Sequence, residues 1–396
     1  MSGARVAAAT NAAHALLAQG GAASTKAAQP RPPPYPLPGA RPRVLAMGDP
    51  QAKLERVLEV LDAHGALGDD GWLADELTLI SMGDHFDWGG NSASERDQAA
   101  ADGEALLRWL AAHPRDQVVI LAGNHDLARV GELWGLSDAE FRKEQEAADG
   151  AYQKGEAVEA AFRAAHTRWP CPEVVARDLS TYRERQRHLV TELLQAERMV
   201  AAHAFGGALY LHAGVTTNEL RVLALDGNAP PEFIATKLNS CLRAAAADLD
   251  SRPLVLEGLH VPGNASAEGS GMFYHRPTRL PAKLPVPVEG EARTWRRFNP
   301  EHLPQGLVQV VGHVGDKKCR EELGDWCAPA NARYGVVRHL VVSAGAGRYA
   351  HGPPPVDATN TDALMIFIDN GMKDVAAASD YQLLDAKSRR PAPQVR

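Results

Sequence analysis

The sequence predicts an α/β fold, and the prediction depends on the order of its apolar segments. Between residues 43 and 126, short apolar runs of strand length alternate with longer segments of helical spacing. This alternation is typical of parallel strands joined by right-handed helical crossovers. With 396 residues the chain exceeds the usual size of one simple core, so one large domain with insertions, or two domains, is expected.

Each predicted strand is an apolar run that stops at a glycine or a polar residue. The strands are expected at 43–51, 77–87, 117–126, 207–215, 306–314, 335–345 and 362–371. After the first of them, Leu54, Leu58 and Leu61 recur at helical spacing, and a second helix is expected over 94–113. The strands should therefore form the sheet and the helices should cover it.

The segment 137–200 is predicted to be a helical insertion. It is rich in charge, and it begins with Ser137 and Glu140 in the spacing of a capping box. A solvated helical face with an apolar underside is the simpler interpretation, and a lid over the functional site is the alternative. A further helix is expected at 231–248, followed by an irregular stretch rich in proline and glycine at 250–303.

The two ends of the chain are predicted to lie outside the folded domain, which should span 41–375. Residues 1–40 are rich in alanine and proline and are expected to form a disordered arm, and residues 376–396 a flexible tail. Asn11 and His14 interrupt the apolar start of the chain, which argues against a signal peptide. No apolar run approaches the roughly 18 residues of a membrane span, so a cytoplasmic protein is expected.

Composition excludes several classes of partner and site. The formal charge of −7 and the pI near 6.1 provide no basic surface for nucleic acid. The four cysteines contain no CxxC pair, so neither a thiolate zinc site nor a disulfide framework is expected.

Polar side chains end five of the predicted strands: Asp49, Asp84, Asn124, His212 and His313. Because ligands bind at the carboxyl ends of strands in open α/β sheets, these side chains are expected to converge. Carboxylate, amide and imidazole groups suit Mn, Fe, Zn or Mg ions. Taken singly, the acidic and amide residues could instead be helix N-caps, and His212 a hydrogen-bonded core histidine.

The same strand ends carry five short motifs in a fixed order: GDPQ, GDHFDWGG, GNHD, HAG and GH. This set resembles the blocks of the calcineurin-like metallophosphoesterases and spans roughly residues 41–372. The GH block without a second histidine and the long helical segment after GNHD are most similar to the phosphoprotein-phosphatase branch, in particular its Shewanella-like group. The resemblance implies a sandwich of two mixed β-sheets flanked by helices, with metals at one edge.

The resemblance also implies a ligand set for two divalent ions, with Mn²⁺ expected and Fe, Zn or Mg as alternatives. The first ion would be held by Asp49, Gln51 and Asp84, and the second by the bridging Asp84 with Asn124, His212 and His313. Such a pair of ions can clamp a phosphoryl group and lower the pKa of a bridging water, which then attacks as hydroxide.

His125 corresponds to the general acid of this family, and Asp87 would orient it. Two positions depart from the family pattern. Gln51 stands where a histidine ligand is usual, and Trp88 stands where a phosphate-binding arginine is usual. Arg276 resembles a second phosphate-binding arginine of this branch and is the candidate for that role.

The expected function is metal-dependent hydrolysis of a phosphomonoester, with a phosphoserine/threonine protein or a small phosphorylated metabolite as substrate. One alternative is a hydrolase of diadenosine tetraphosphate or nucleotides, since that branch shares the same blocks. The other is a binding protein of weakened catalytic power that senses phosphate, which Gln51 and Trp88 motivate.

Overall fold

The computed structural model describes residues 2–20, 43–89, 92–284, 294–355 and 361–394. Its strands are β1 (Arg43–Met47), β2 (Leu77–Ser81), β3 (Val118–Leu121), β4 (Met199–Val200), β5 (Ala202–Phe205), β6 (Ala208–Leu211), β7 (His260–Val261), β8 (Ser270–Gly271), β9 (Arg276–Pro277), β10 (Arg297–Phe298), β11 (Val308–Val311), β12 (Arg338–Ser343), β13 (Ala346–His351), β14 (Ala363–Phe367), β15 (Leu384–Asp385) and β16 (Arg390–Pro391).

The helices α2, α3 and α9 lie close to the positions expected from periodicity. They are α1 (Ser2–Gly20), α2 (Leu54–Ala63), α3 (Ala93–Ala112), α4 (Asn124–Ala128), α5 (Asp138–Ala151), α6 (Glu156–Ala165), α7 (Glu184–Gln195), α8 (Thr217–Val222), α9 (Pro231–Ala246) and α10 (Asp316–Leu323). The predicted capping box is present at the start of α5, where the Ser137 side chain accepts from the Glu140 amide. In the described part of the chain, no helix is long and apolar enough to cross a membrane.

Within the described residues the larger strands form two six-stranded mixed sheets, in the orders β16-β15-β1-β2-β3-β4 and β13-β12-β14-β11-β6-β5. In the first sheet β1 to β4 are parallel and β15 is antiparallel to β1. In the second, β6, β11 and β14 are parallel and β12 is antiparallel to β14. The prediction of an α/β fold with two mixed sheets is confirmed.

The two sheets pack face to face, because one buried apolar cluster contains residues of both. Val44 and Ile80 of the first sheet lie in the same cluster as Tyr210, Val310 and Ile366 of the second. Since side chains alternate along a strand, the neighbours of these residues point outward and pack under the helices. Both faces of each central strand are therefore buried. The polar residues lie where these strands end, at their carboxyl ends.

The N-terminal residues differ from the expected disordered arm. Residues 2–20 form helix α1, in which Ala9 and Ala13 are fully buried, and Arg5 pairs with Asp62 of α2 at 2.6 Å. Alanine has the highest helix propensity, and its small side chain lets a helix approach its neighbours closely. The alanine-rich composition was therefore a poor guide to burial here. The rest of the predicted arm, residues 21–40, lies outside the described residues.

The C-terminal segment also differs from expectation, which was a flexible tail over 376–396. Tyr381, Leu383 and Leu384 are fully buried, and β15 extends the first sheet beside β1. The polar composition of this segment concealed these few apolar residues.

The insertion between α4 and β4 is helical, as expected, and has an apolar cluster of its own. Phe141, Phe162, Trp169 and Tyr182 belong to this cluster, which is separate from the cluster between the sheets and from the cluster under the helices. A short π-helical turn, Val174–Asp178, lies in the same segment. The insertion is thus a small packed unit attached to the sandwich.

Candidate metal centre

The sheet topology brings the five predicted strand-end residues to one edge of the sandwich. Asp49, Asp84 and Asn124 follow β1, β2 and β3, and His212 and His313 follow β6 and β11 of the other sheet. Each of these residues lies within three residues of the end of its strand, so five strand ends hold the five side chains in place. The predicted convergence is present.

Three of these residues form a candidate metal-binding group: Asp84, His212 and His313 each offer one ligand atom, and the atoms lie within 4.8 Å of one another. His212 Nε2 is 3.4 Å from Asp84 Oδ2 and 3.0 Å from Asn124 Oδ1. Its Nδ1 lies 2.9 Å from the Met82 carbonyl oxygen, an acceptor that turns Nε2 towards the group. This pattern is what a metal-binding histidine requires.

Two buried atoms without hydrogen-bond partners in the described chain show that the group fits a metal. They are Asp49 Oδ1 and His313 Nε2. The other oxygen of Asp49 accepts the His313 backbone amide at 2.9 Å, which fixes the carboxylate next to the histidine. An orphaned buried acceptor is costly, and binding a cation would remove that cost.

Glycines beside the ligands are required by crowding at this edge. A Cβ on Gly312 would lie 2.0 Å from Asp49 Oδ1, and a Cβ on Gly123 would lie 2.2 Å from Asp84 Oδ1. Asp84 and His313 themselves adopt left-handed backbone with φ of 56° and 64°. Non-glycine residues are rarely held there, and such strain is typical of functional sites.

The carboxylates create a strong demand for positive charge. Burial opposes a charge on His212, yet Asp84 and Asp49 outweigh it and raise the pKa of His212 to about 10. By contrast, burial and nearby Arg276 hold the pKa of His313 well below its usual value, which keeps this imidazole neutral. A neutral imidazole beside buried carboxylates is a suitable donor set for a divalent ion.

The partly exposed His125 and the buried Asp87 form a pair at the side of this group. His125 Nδ1 lies 2.9 Å from Asp87 Oδ2, and its Nε2 is 3.9 Å from Asp84 Oδ2. Burial alone would lower the pKa of His125, but Asp84 and Asp87 together raise it to about 9. The geometry thus places a protonated imidazole next to the candidate metal group.

Asp87 is itself held by residues that the sequence analysis did not identify. Arg129 donates to its Oδ2 at 2.6 Å, and Thr181 donates to its Oδ1 through both amide and hydroxyl, at 3.1 and 2.6 Å. Burial would raise the pKa of Asp87, but Arg129 and His125 keep it well below its usual value. The sequence contains one signal for the role of Arg129. It lies four residues after His125, a spacing that places both side chains on one face of a helical turn.

The two departures from the family pattern have different structural settings. Gln51 lines the cavity, and its Nε2 donates to the Phe86 carbonyl oxygen at 3.1 Å, which leaves Oε1 for another partner. Trp88 is not among the described residues that line the cavity, and its indole nitrogen is buried without a hydrogen-bond partner in that part of the chain. Packing within the protein therefore describes Trp88 better than stacking on a substrate.

Arg276 lies at the same cavity, at the start of β9. Within the described residues its guanidinium makes no ion pair, and its Nε is buried without a partner. Burial and nearby Arg296 lower the pKa of Arg276 to about 10. The neighbouring Arg296 and Arg297 are paired with Glu268 and Glu322. Arg276 is thus a half-buried cation available for an anion.

The candidate site is the floor of a cavity of about 410 Å³. Asp49, Asp84, Asn124, His125 and His313 line one side, and the opposite wall comes from the insertion, over residues 169–179. The π-helical turn belongs to this wall, and π turns are frequent at functional sites. The insertion therefore contributes part of the cavity wall.

Asp369 is a further residue that the sequence analysis did not identify. It follows β14 by two residues and lines the cavity with Asp49 and Gln51. The signal was present, because the apolar run of the predicted strand 362–371 stops at Asp369, as the runs of other strands stop at a glycine or a polar residue.

Residues 42–171 match the model of the calcineurin-like phosphoesterase family. No curated protein and no solved structure gives a significant match to the chain. The matched range contains Asp49, Asp84 and the His125–Asp87 pair, whereas His212 and His313 come from later strands. With the two-sheet fold and the candidate metal group, the match supports the calcineurin-like phosphoesterase superfamily for this chain, and hence a metal-dependent phosphoesterase with a phosphorylated substrate.

Proposed function

We propose that the protein is a phosphomonoesterase that uses two divalent metal ions, of the phosphoprotein-phosphatase type. The observation that carries the proposal is the arrangement around one cavity of three elements. These are the group Asp84, His212 and His313, the His125–Asp87 pair, and the unpaired Arg276. Phosphoester hydrolysis of this kind requires metal ions, a general acid and a cationic group that binds the phosphoryl oxygens.

Two ions fit the strand-end residues. Asp49, Gln51 and Asp84 would hold the first, and Asp84, Asn124, His212 and His313 would hold the second. When bound, the ions supply charge stabilisation for the phosphoryl group and an activated water as nucleophile. The neutral His313 and the orphaned oxygen of Asp49 support these assignments.

The chain's own residues bind the phosphoryl group and move a proton. Arg276 can donate two parallel hydrogen bonds to phosphoryl oxygens, and its burial strengthens that grip. His125, held through Nδ1 by Asp87, presents Nε2 to the cavity and can protonate the leaving oxygen. Arg129 and Thr181 keep Asp87 fixed, so the imidazole cannot rotate away.

The intact acid pair favours an enzyme over a phosphate sensor, because a sensor does not need an oriented proton donor. The cavity also favours a monoester over a dinucleotide. Its described aromatic lining residues, Trp169 and Tyr274, are only 2 % and 6 % exposed, so little ring surface is free for a base. The wall 169–179 would then select among monoesters by shape, which is how a phosphopeptide and a small metabolite would be distinguished.

Turnover of p-nitrophenyl phosphate with added Mn²⁺ tests the proposal. A phosphoserine peptide and diadenosine tetraphosphate, compared at equal concentration, then separate the two enzyme classes. Arg276→Ala should raise KM and weaken inhibition by free phosphate without lowering metal content. Absence of Mn²⁺-dependent turnover on every substrate, with phosphate still bound, would favour the sensor instead.

A further inference from the structure

Asp369 follows β14 at the same position at which the predicted metal ligand His313 follows the neighbouring strand β11. The two strands are parallel, and Val311 pairs in register with Phe367. Two residues further along, His313 and Asp369 therefore stand side by side at the sheet edge. The edge that presents the candidate ligands thus presents Asp369 as well.

Asp369 is also adjacent to Asp49 of the other sheet. The backbones approach so closely that a Cβ on Gly48 would lie 1.7 Å from the Ile368 carbonyl oxygen. Asp49 directly follows Gly48, and Asp369 directly follows Ile368, so these two residues lie next to the point of close approach. A second, smaller cavity of about 190 Å³ lies below, and in the described chain it shares Asp49, Gln51 and Asp369 with the main cavity. Three oxygen-bearing side chains thus line the junction of the two cavities.

The protein balances the charges at this junction only in part, since His212 Nδ1 lies 3.9 Å from Asp49 Oδ1. Asp369 Oδ1 accepts the Gly371 amide at 3.2 Å, and Arg338 donates to the backbone oxygen of Asp369. No ion pair of the Asp369 carboxylate is present among the described residues. Asp49 is 4 % exposed and its Oδ1 has no hydrogen-bond partner there. Two neighbouring carboxylates in a buried setting repel one another, and a cation between them removes the repulsion.

We propose that Asp369 is a ligand of the first metal ion. Together with Asp49, Gln51 and the bridging Asp84 it makes that position an oxygen-only site, which selects a hard ion, Mn²⁺ or Mg²⁺, over Zn²⁺. The second position, with His212 and His313, keeps the borderline character of imidazole ligands. The inference rests on the proposed two-metal function, and it assigns different chemistry to the two positions.

The test is a titration of chelator-treated protein with Mn²⁺, in which binding is measured by calorimetry and by Mn²⁺ electron paramagnetic resonance. Wild type should bind two ions, and Asp369→Asn should weaken one of the two steps by at least about 10-fold, the usual cost of disturbing a metal environment. The amide keeps the acceptor for Gly371, so the turn should persist. Asp374→Asn is the matched control, because Asp374 is an exposed acid of the same loop.

A second variant adds a rescue. Gln51→His in the Asp369→Asn background replaces the lost carboxylate with an imidazole next to the same ion, so it should restore binding and shift the preference towards Zn²⁺. If Asp369→Asn were too unstable to purify, Asp369→Ser, which also keeps an acceptor for the turn, would be titrated in its place.

The outcomes separate the inference from the proposed function. Two-step Mn²⁺ binding that is the same in wild type, Asp369→Asn and Asp374→Asn would overturn the role of Asp369 and leave the two-metal enzyme intact. A wild type that binds no second ion, or binds ions without hydrolysing phosphomonoesters, would count against the proposed function. A lower melting temperature with unchanged Mn²⁺ affinity would assign Asp369 to the turn alone and overturn the inference.

Discussion

Two histidine–aspartate pairs lie close together in this protein, and they differ in what the second ring nitrogen faces. His125 Nδ1 is 2.9 Å from Asp87, its side chain is 19 % exposed, and its Nε2 faces the cavity and Asp84. His85 Nδ1 is 3.0 Å from Asp126, its side chain is fully buried, and its Nε2 is 2.9 Å from the Ser81 hydroxyl. The same two residue types thus form one pair that faces the cavity and one pair that is enclosed in the core.

The aspartates differ in the same way. Asp126 accepts the backbone amides of Gly123, Asp84 and His85, so it binds two strand ends together. Asp87 accepts from Arg129 and Thr181, which hold it as a charged group behind the histidine. A pair whose polar atoms are all bonded within the protein can only stabilise, whereas a pair with one free nitrogen can exchange a proton. His85 is thus a hydrogen-bonded core histidine.

The largest expected effect is at Asp84, which both pairs contact. Its backbone amide donates to Asp126, and its Oδ1 accepts the His125 amide. We expect Asp84→Asn to abolish turnover and lower metal content while the fold persists, because the two ions lose the charge that they share. Metal analysis, steady-state kinetics and circular dichroism check this. Near-normal activity would contradict the two-metal proposal.

His125→Ala should keep the metals and slow the hydrolysis of esters with poor leaving groups by about 10²–10⁴-fold, the usual contribution of general acid catalysis. The loss should be smaller for p-nitrophenyl phosphate, whose leaving group needs less protonation. Phenyl phosphate and p-nitrophenyl phosphate would be compared under identical metal loading. Equal losses on both substrates would remove His125 as the acid and break the contrast with His85.

Asp126→Ala should act mainly on stability. Removing one partner of a buried pair leaves uncompensated polar groups and typically costs about 3–5 kcal/mol. We expect the midpoint of urea unfolding to fall sharply, while the remaining folded fraction stays active at saturating Mn²⁺. Unchanged stability with lost activity would mean that this pair is functional too, and the contrast would fail.

The smallest expected effect is at Thr181, which supports the catalytic pair from the insertion. Thr181→Val removes the hydroxyl bond to Asp87 but leaves the backbone amide bond, a loss of about 0.5–1.5 kcal/mol. We expect kcat for phenyl phosphate to fall by no more than about 10-fold. Thr78→Val is the matched control, because its hydroxyl donates to the Asp116 carbonyl oxygen at the other end of β2. A kcat equal to that of the control would show that Thr181 does not orient the pair.

Much of the fold could be predicted from the sequence because its signals are local. Alternating apolar runs indicated the strands, and the polar residue at each strand end indicated the site edge. Helix α1 could not be predicted in this way. Its burial depends on the packing of its alanine face against α2 and α3, which no local pattern of the sequence indicates. The strands β15 and β16 are two residues each, too short for periodicity to reveal them.

The candidate site was predictable where a residue type and a strand end coincide, and not where a role depends on a contact. Asp87 was identified, but its partner Thr181 lies 94 residues away and nothing local marks it. Asp369 had the strand-end signal and no motif to draw attention to it. Long-range packing, rather than residue type, decides which polar groups face the cavity.

One consequence concerns the strand that carries Asp49. β15 pairs antiparallel with β1, with Leu45 opposite Asp385 and Ala46 opposite Leu384, and the Ala386 amide donates to Val44. Removing the chain from residue 384 onward would leave one side of β1 with unpaired amides and carbonyls. Exposed edges of this kind recruit strands from other molecules. Shortened versions of this protein are therefore expected to associate into larger species, with the strand that supports Asp49 at the point of contact.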